Sequence, residues 1–170
     1  FPSKTLCAHV TTWNKDASIK FRTDVAMMCK LGFDIKMSDL NPNEQVYCRQ
    51  AVTEYNRLKP VILEGDLYRL VSPYGSNHTS SMYVNKNKNQ AIVFAFDVYP
   101  RYGEHILPVR LQGLEANKMY QVKEINLMPG VSSSVNGNGQ TFSGEYLMNV
   151  GLDLFTGYKL NSRIIEIIAQ

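Results

Sequence analysis

The chain has 170 residues, 44% of them apolar and 19% charged, which suits one domain or two small ones and excludes intrinsic disorder. Its longest apolar run, Ala91–Phe96, falls far short of the ~20 residues a membrane-crossing helix needs, so no membrane partner is expected. The formal charge of +3 is uneven: residues 1–60 carry nine Lys/Arg against six Asp/Glu, and residues 61–170 carry nine against nine. No basic stripe accompanies that excess, so no nucleic-acid partner is expected either. The opening Phe1-Pro2-Ser3-Lys4 lacks both an initiator Met and the layout of a signal peptide, and reads as the start of a fragment.

In chain order, Thr5–Thr12 alternates as a strand, with Cys7, His9 and Thr11 on one side. Thr23 is the expected N-cap of a short helix over Asp24–Leu31, closed by Gly32 in the left-handed conformation. A second short strand is expected at Phe33–Met37. Asn41-Pro42-Asn43-Glu44 then gives a helix start, with Asn as N-cap, Pro at the first position and Glu reaching back to the cap. Tyr47, Ala51, Tyr55 and Leu58 form its apolar stripe, and Pro60 is expected to end it. Strand–helix–strand–helix is the grammar of a parallel α/β unit.

Beyond Pro60 the pattern changes to eight expected short strands: Val61–Leu63, Leu67–Val71, Ser81–Val84, Ala91–Val98, Val109–Leu111, Tyr120–Ile125, Tyr146–Val150 and Arg163–Ile168. Turn residues separate them, at Pro73-Tyr74-Gly75, Asn85–Gln90, Gly113 and Gly130. The fold class is therefore mainly β: an antiparallel β-sandwich of Greek-key type over 61–170, preceded over 1–60 by a short α/β unit with two helices. Val131–Gly139 is too poor in apolar mass to pack and reads as a flexible loop.

Few residues carry a sharp chemical signal. Cys7, Cys29 and Cys48 have no metal-ligand spacing and read as reduced thiols. Cys7 and His9 share one side of a strand, but two ligands do not make a zinc site. Glu64 and Asp66 are two apart, roughly 6.5 Å along an extended chain, a spacing glycosidase carboxyl pairs also use. Gly65 between them and Arg69 behind favour a structural turn. Trp13 follows the first strand in a polar loop, where its ring suits a sugar face or an apolar interface equally. Tyr99 and Tyr102 flank a loop Pro-Arg and read as loop packing before a sugar platform. Asn77-His78-Thr79 matches an N-glycosylation tripeptide, informative only for a secreted eukaryotic protein.

Several segments taken in order resemble one family. They are Cys7–Thr11, Arg22–Met28, Leu31–Ile35, Gly65–Tyr74, Leu111–Leu114 with Tyr120, and Ser143–Leu152. Together they are similar to the end of the catalytic barrel and the C-terminal β-domain of family 36 α-galactosidases (melibiases). The resemblance implies that residues 1–60 are the last two β/α units of a truncated (β/α)8 barrel and that 61–170 are the terminal β-domain. It implies a retaining glycosidase in which one Asp attacks the anomeric carbon and another protonates the leaving oxygen.

In the family both aspartates precede the segment matching Cys7–Thr11. No residue of this sequence inherits a catalytic role, and Asp34, Asp39, Glu64 and Asp66 do not replace them. The loop after the first strand is expected at the barrel's C-terminal face, where His9, Trp13 and Asn14 would border the galactose pocket. Many relatives read Pro-Asn-His there, whereas this chain reads Trp13-Asn14-Lys15.

No cofactor or metal is implied. The expected partners are an α-galactoside oligosaccharide reached through the parent enzyme, the remainder of the barrel, and further copies of the protein. Two readings compete with an inactive structural fragment. One is an autonomous carbohydrate-binding sandwich using Trp13, Tyr99 or Tyr102; the other is a small hydrolase using Glu64 and Asp66.

Overall fold

The computed structural model describes residues 2–13 and 16–170. Strand β1 (Cys7–Thr11), helix α1 (Ile19–Ala26), strand β2 (Lys30–Asp34) and helix α2 (Pro42–Glu64) come first. Strands β3 (Asp66–Val71), β4 (His78–Val84), β5 (Gln90–Asp97), β6 (Met119–Ile125) and β7 (Thr141–Ser143) follow, then helix α3 (Gly144–Asn149) and strand β8 (Asn161–Ala169). β1 and β2 pair in parallel as a two-stranded sheet. The remaining strands form one six-stranded antiparallel sheet in the order β3-β4-β5-β8-β6-β7, with β8 inserted between β5 and β6.

The start of α2 follows its sequence signals. Asn41 Oδ1 accepts from the Glu44 N–H at 3.0 Å, and Glu44 Oε2 accepts from the Asn41 N–H at 3.0 Å. Tyr47, Ala51, Tyr55 and Leu58 are all buried. The helix does not stop at Pro60, however, and runs to Glu64. Val61 and Ile62 are buried against the large sheet, so the expected first strand of the β-region is the last turn of this helix. The carbonyl that loses its donor to Pro60 belongs to Asn56, an exposed residue. At the joint into β3, a Cβ on Gly65 would stand 2.4 Å from the Val61 carbonyl oxygen and 2.7 Å from that of Val84.

The earlier helix also shifts. Ser18, not Thr23, caps α1, its Oγ accepting from the Phe21 N–H at 3.1 Å. Thr23 and Asp24 are fully buried within it. β2 begins earlier than expected, and Gly32 lies inside it opposite His9 instead of closing a helix.

The two-sheet sandwich is replaced by a single sheet covered on both faces. On one face Tyr83, Ile92, Phe94, Phe96, Ile125 and Ile164 pack against α2 and Met27. On the other, Met82, Val93, Val122, Ile165 and Ile167 pack against Val109, Leu111, Val135, Leu147, Leu152 and Leu154. Burial from both sides explains the unbroken apolar run of β5.

The expected strand Val109–Leu111 is reduced to one bridge between Val109 and Leu152. Tyr146–Val150 is mostly helical, because Ser143 Oγ accepts from the Tyr146 N–H at 3.1 Å and starts α3. The Val131–Gly139 segment is tied down, not free. Val135 is buried, Ser133 Oγ donates to Glu124, and Ser134 Oγ accepts from Arg163.

Candidate functional site

The parallel pair has two unlike faces. Ala8, Val10, Leu31 and Phe33 turn toward α1 and α2 and pack with Ile19, Tyr47 and Ala51. Strand alternation puts Cys7, His9 and Thr11 on the opposite face, in register with Lys30, Gly32 and Asp34. Cys7, His9, Lys30 and Asp34 are exposed. The His9 ring lies over Gly32, where a Cβ would stand 2.7 Å from His9 Cδ2. Among the described residues, neither outer edge of this pair is joined to another strand.

The chain leaves β1 through a braced turn. Arg22 of α1 donates through Nη1 to the Thr11 carbonyl at 2.6 Å and to the Trp13 carbonyl at 3.4 Å. The Trp13 N–H donates to Thr11 Oγ1 at 3.3 Å, and its indole is 78% exposed. His9, Thr11, Trp13 and Arg22 line one groove of about 390 Å³ with Tyr99 and Leu160. The structure thus brings His9 and Trp13 together; Asn14 lies outside the described residues. Tyr99 and Leu160 come from the β-region and join a wall the sequence did not connect to β1. The Tyr99 ring carries Lys159 Nζ 4.5 Å from its centroid. Flat aromatic faces beside hydrogen-bonding groups suit a polyhydroxylated ligand.

The other candidates disperse. Glu64 ends α2 and Asp66 begins β3; both are exposed, and neither lines the groove. Tyr102 points fully into solvent. Burial pushes the thiols of Cys29 and Cys48 up, away from reactivity. Among the described residues no three His, Cys, Asp or Glu side chains converge as metal ligands. No helix of the structure is long and apolar enough to cross a membrane.

A second polar cluster had no sequence signal beyond the tripeptide at Asn77. His78, buried at the start of β4, meets Asp97 Oδ1 through Nδ1 at 2.6 Å. Asp97 Oδ2 accepts from the Thr156 N–H and hydroxyl, each at 2.8 Å. On the other side of the ring, Nε2 stands 3.5 Å from Glu104 Oε2. Glu104 accepts from Asn77 Nδ2 at 3.1 and 3.2 Å and from the Arg101 N–H at 3.0 Å. The Arg101 N–H, aided by the Asn77 amide and neighbouring His78, holds the Glu104 carboxyl below the ordinary range. His78 and Asp97 pair across β4 and β5, whereas Thr156 and the Arg101–Glu104 segment come from loops distant in sequence, so only folding brings them together.

Known proteins place this fold among the C-terminal parts of glycosidases. The crystal structure of the GH36 α-galactosidase AgaB from Geobacillus stearothermophilus matches with a TM-score of 0.83 and 25% identity, over 99% of this chain and 22% of that one. The galactosidase domain of the α-galactosidase–sucrose kinase AgaSK shares the fold, with a TM-score of 0.83 at 21% identity, covering 100% of this chain and 23% of that one.

Residues 78–167 match the glycosyl hydrolase family 36 C-terminal domain, and the chain belongs to that family. Among curated relatives, alpha-galactosidase 2 of Hypocrea jecorina is 27% identical over the whole of this chain and 22% of its own length. The probable alpha-galactosidase C of Aspergillus flavus is 30% identical over the same shares. The chain therefore spans about a fifth of the curated relatives it matches.

Proposed function

We propose that this chain is the C-terminal part of a retaining α-galactosidase that removes terminal α-linked galactose from oligosaccharides. On this reading residues 1–60 are the last two β/α units of its catalytic barrel, and 61–170 are the terminal β-domain, of Greek-key type. The observation that carries the reading is the open face of the β1–β2 pair. Two parallel strands with polar and small residues on one side, helices on the other and, among the described residues, no further strand at either edge have the form of neighbours within a larger closed sheet.

On the same reading the attacking and protonating aspartates belong to the remaining four fifths of the enzyme, and this chain alone is inactive. Its roles are to complete the barrel, to bury the α1–α2 layer on the large sheet, and to supply part of the pocket rim. On this reading His9 and Trp13 border that rim, where the C-terminal ends of barrel strands present their loops; Asn14, the third residue expected there, lies outside the described residues. Further copies of the enzyme are candidate partners.

The test is hydrolysis of a chromogenic α-galactoside. The reading expects turnover by the full-length parent protein and none by residues 1–170. Turnover by this chain alone would overturn it.

A second reading, an autonomous carbohydrate-binding module, is favoured by the shared groove of Trp13 and Tyr99. It expects saturable galactoside binding by this chain without turnover, lost in Tyr99→Ala.

A further inference from the structure

We propose that His78 is a positioning residue whose protonation fastens the Tyr99–Leu107 loop to the large sheet and so sets the Tyr99 wall of the groove beside Trp13. The ring stands at a junction of two loops. Through Asp97 it is linked to Thr156 and Gly157, at the start of the segment that carries Lys159 over Tyr99 and Leu160 into the groove. Through Nε2 it faces Glu104, inside the loop that begins with Tyr99. Among the described residues, Tyr99 is held by its N–H donating to the Asn77 carbonyl at 3.3 Å, and every hydrogen bond from residues 100–108 to the rest of the chain runs through the Glu104 carboxylate. The same loop has little apolar anchorage: Tyr102 is fully exposed and Leu107 is 65% exposed. Beyond the Tyr99 backbone bond, its polar attachment therefore runs through a single side chain.

The chemistry at Nε2 has two states. With Nδ1–H committed to Asp97, a neutral ring turns the Nε2 lone pair toward the Glu104 carboxylate, and two acceptors oppose each other. Nε2 is buried and, among the described residues, has no hydrogen-bond partner. A second proton converts Nε2 to a donor aimed at Glu104, and the contact becomes a charge-assisted hydrogen bond.

The charged groups facing the ring are Asp97 from β5 and Glu104 from the loop; its other face carries the Phe155 ring, 4.7 Å away between centroids. His105 and Arg110 line the same 860 Å³ cavity but are exposed. The sign follows from these partners. The loop is fastened when His78 is charged and loosens as pH rises and the ring loses its proton. At the acid end Glu104 keeps its charge to below the ordinary carboxylate range, so the fastened window is wide on that side.

Only the functional meaning of the loop rests on the sugar-site reading; the test needs no sugar. Amide hydrogen exchange of residues 99–107 is measured on the 170-residue chain between about pH 5 and 8, the range in which histidine changes charge. Rates are divided by the intrinsic rates at each pH. Protection should fall by about tenfold as pH rises, the scale of one charge-assisted hydrogen bond.

Glu104→Gln and His78→Gln should each abolish that step, and His105→Gln should leave it in place. Protection that does not change with pH would overturn the proposal. So would a step that survives in Glu104→Gln, the variant whose amide oxygen still accepts from Arg101 and preserves the local fold, or one that disappears in His105→Gln. Failure of galactoside turnover or binding would leave this result unaffected.

Discussion

Asp24 in α1 accepts a hydrogen bond from Ser162 Oγ in β8 at 2.7 Å, joining positions 138 residues apart. The carboxylate is fully buried and collects further donors from Lys20 Nζ, Tyr47 OH and Asn126 Nδ2. It thus ties α1, α2 and two parts of the β-region at one point. Burial, followed by the nearby Asp24 charge, holds the Tyr47 hydroxyl well above its ordinary range, so it remains a donor to that carboxylate. Asp24→Asn removes the charge that balances Lys20, and should lower unfolding free energy by about 3 kcal/mol. Ser162→Ala leaves three donors and should lower it by about 1 kcal/mol. Urea unfolding measures both; equal effects of the two substitutions would contradict this arrangement.

A second buried carboxylate links α2 to the sheet and predicts an acid response. Arg57 donates to both oxygens of Glu166, at 2.5 and 2.9 Å, and Gln90 Nε2 donates at 2.7 Å. Burial alone would raise the Glu166 carboxyl, but the Arg57 and Gln90 hydrogen bonds outweigh it and the net direction is down. A carboxyl lowered in the folded state adds stability above its unfolded pKa, and that stability disappears as pH falls through its folded value. Glu166→Gln should therefore lower stability at neutral pH by roughly 1–3 kcal/mol and flatten the acid limb of the stability curve. A parallel acid limb in the variant would refute the assignment.

Two glycines at close approaches should respond differently to a methyl group. At Gly65 the added Cβ meets two backbone carbonyls, which cannot turn aside. Gly65→Ala should lower the melting temperature, at a cost of roughly 1–3 kcal/mol. At Gly32 it meets only the His9 ring, which is exposed and can swing away. Gly32→Ala should be the milder change and should move the His9 ring resonances. The reverse order of melting temperatures would contradict the geometry.

Pro60 is the reverse case. Its neighbours Val61 and Ile62 hold the helix together across a position that lacks an N–H. Pro60→Ala restores a donor to the Asn56 carbonyl and should stabilise the fold by roughly 1–3 kcal/mol, reduced in part by the greater freedom of the unfolded chain. Thermal unfolding checks this, and a fall in melting temperature would contradict it.

These positions also mark where the sequence could be read and where it could not. Asn41, Pro42 and Glu44 act within four residues of one another, so the start of α2 was legible. The stripe from Tyr47 to Leu58 and the apolar run of β5 were legible because burial repeats along one element. Pro60 misled because packing of Val61 and Ile62 outweighs a local helix breaker. Thr23 misled because its neighbour Asp24 serves distant partners, not a helix terminus. Gly32 is needed for contact with His9 across the parallel pair, which no local pattern reveals. Ser143 starts a helix in a segment whose aromatic and branched residues suit a strand. Of the candidate site, His9 and Trp13 could be placed by following the first strand, whereas Tyr99, His78 and Glu104 converge only through the sheet.

The central claim is that β1 and β2 belong to a larger sheet completed by the rest of the enzyme. Amide hydrogen exchange of Cys7–Thr11 and Lys30–Asp34, compared between this chain and the full-length parent, tests it most directly. The account predicts fast exchange of the outward-facing amides in the isolated chain and strong protection of the same amides in the parent. Equal protection in both would contradict it.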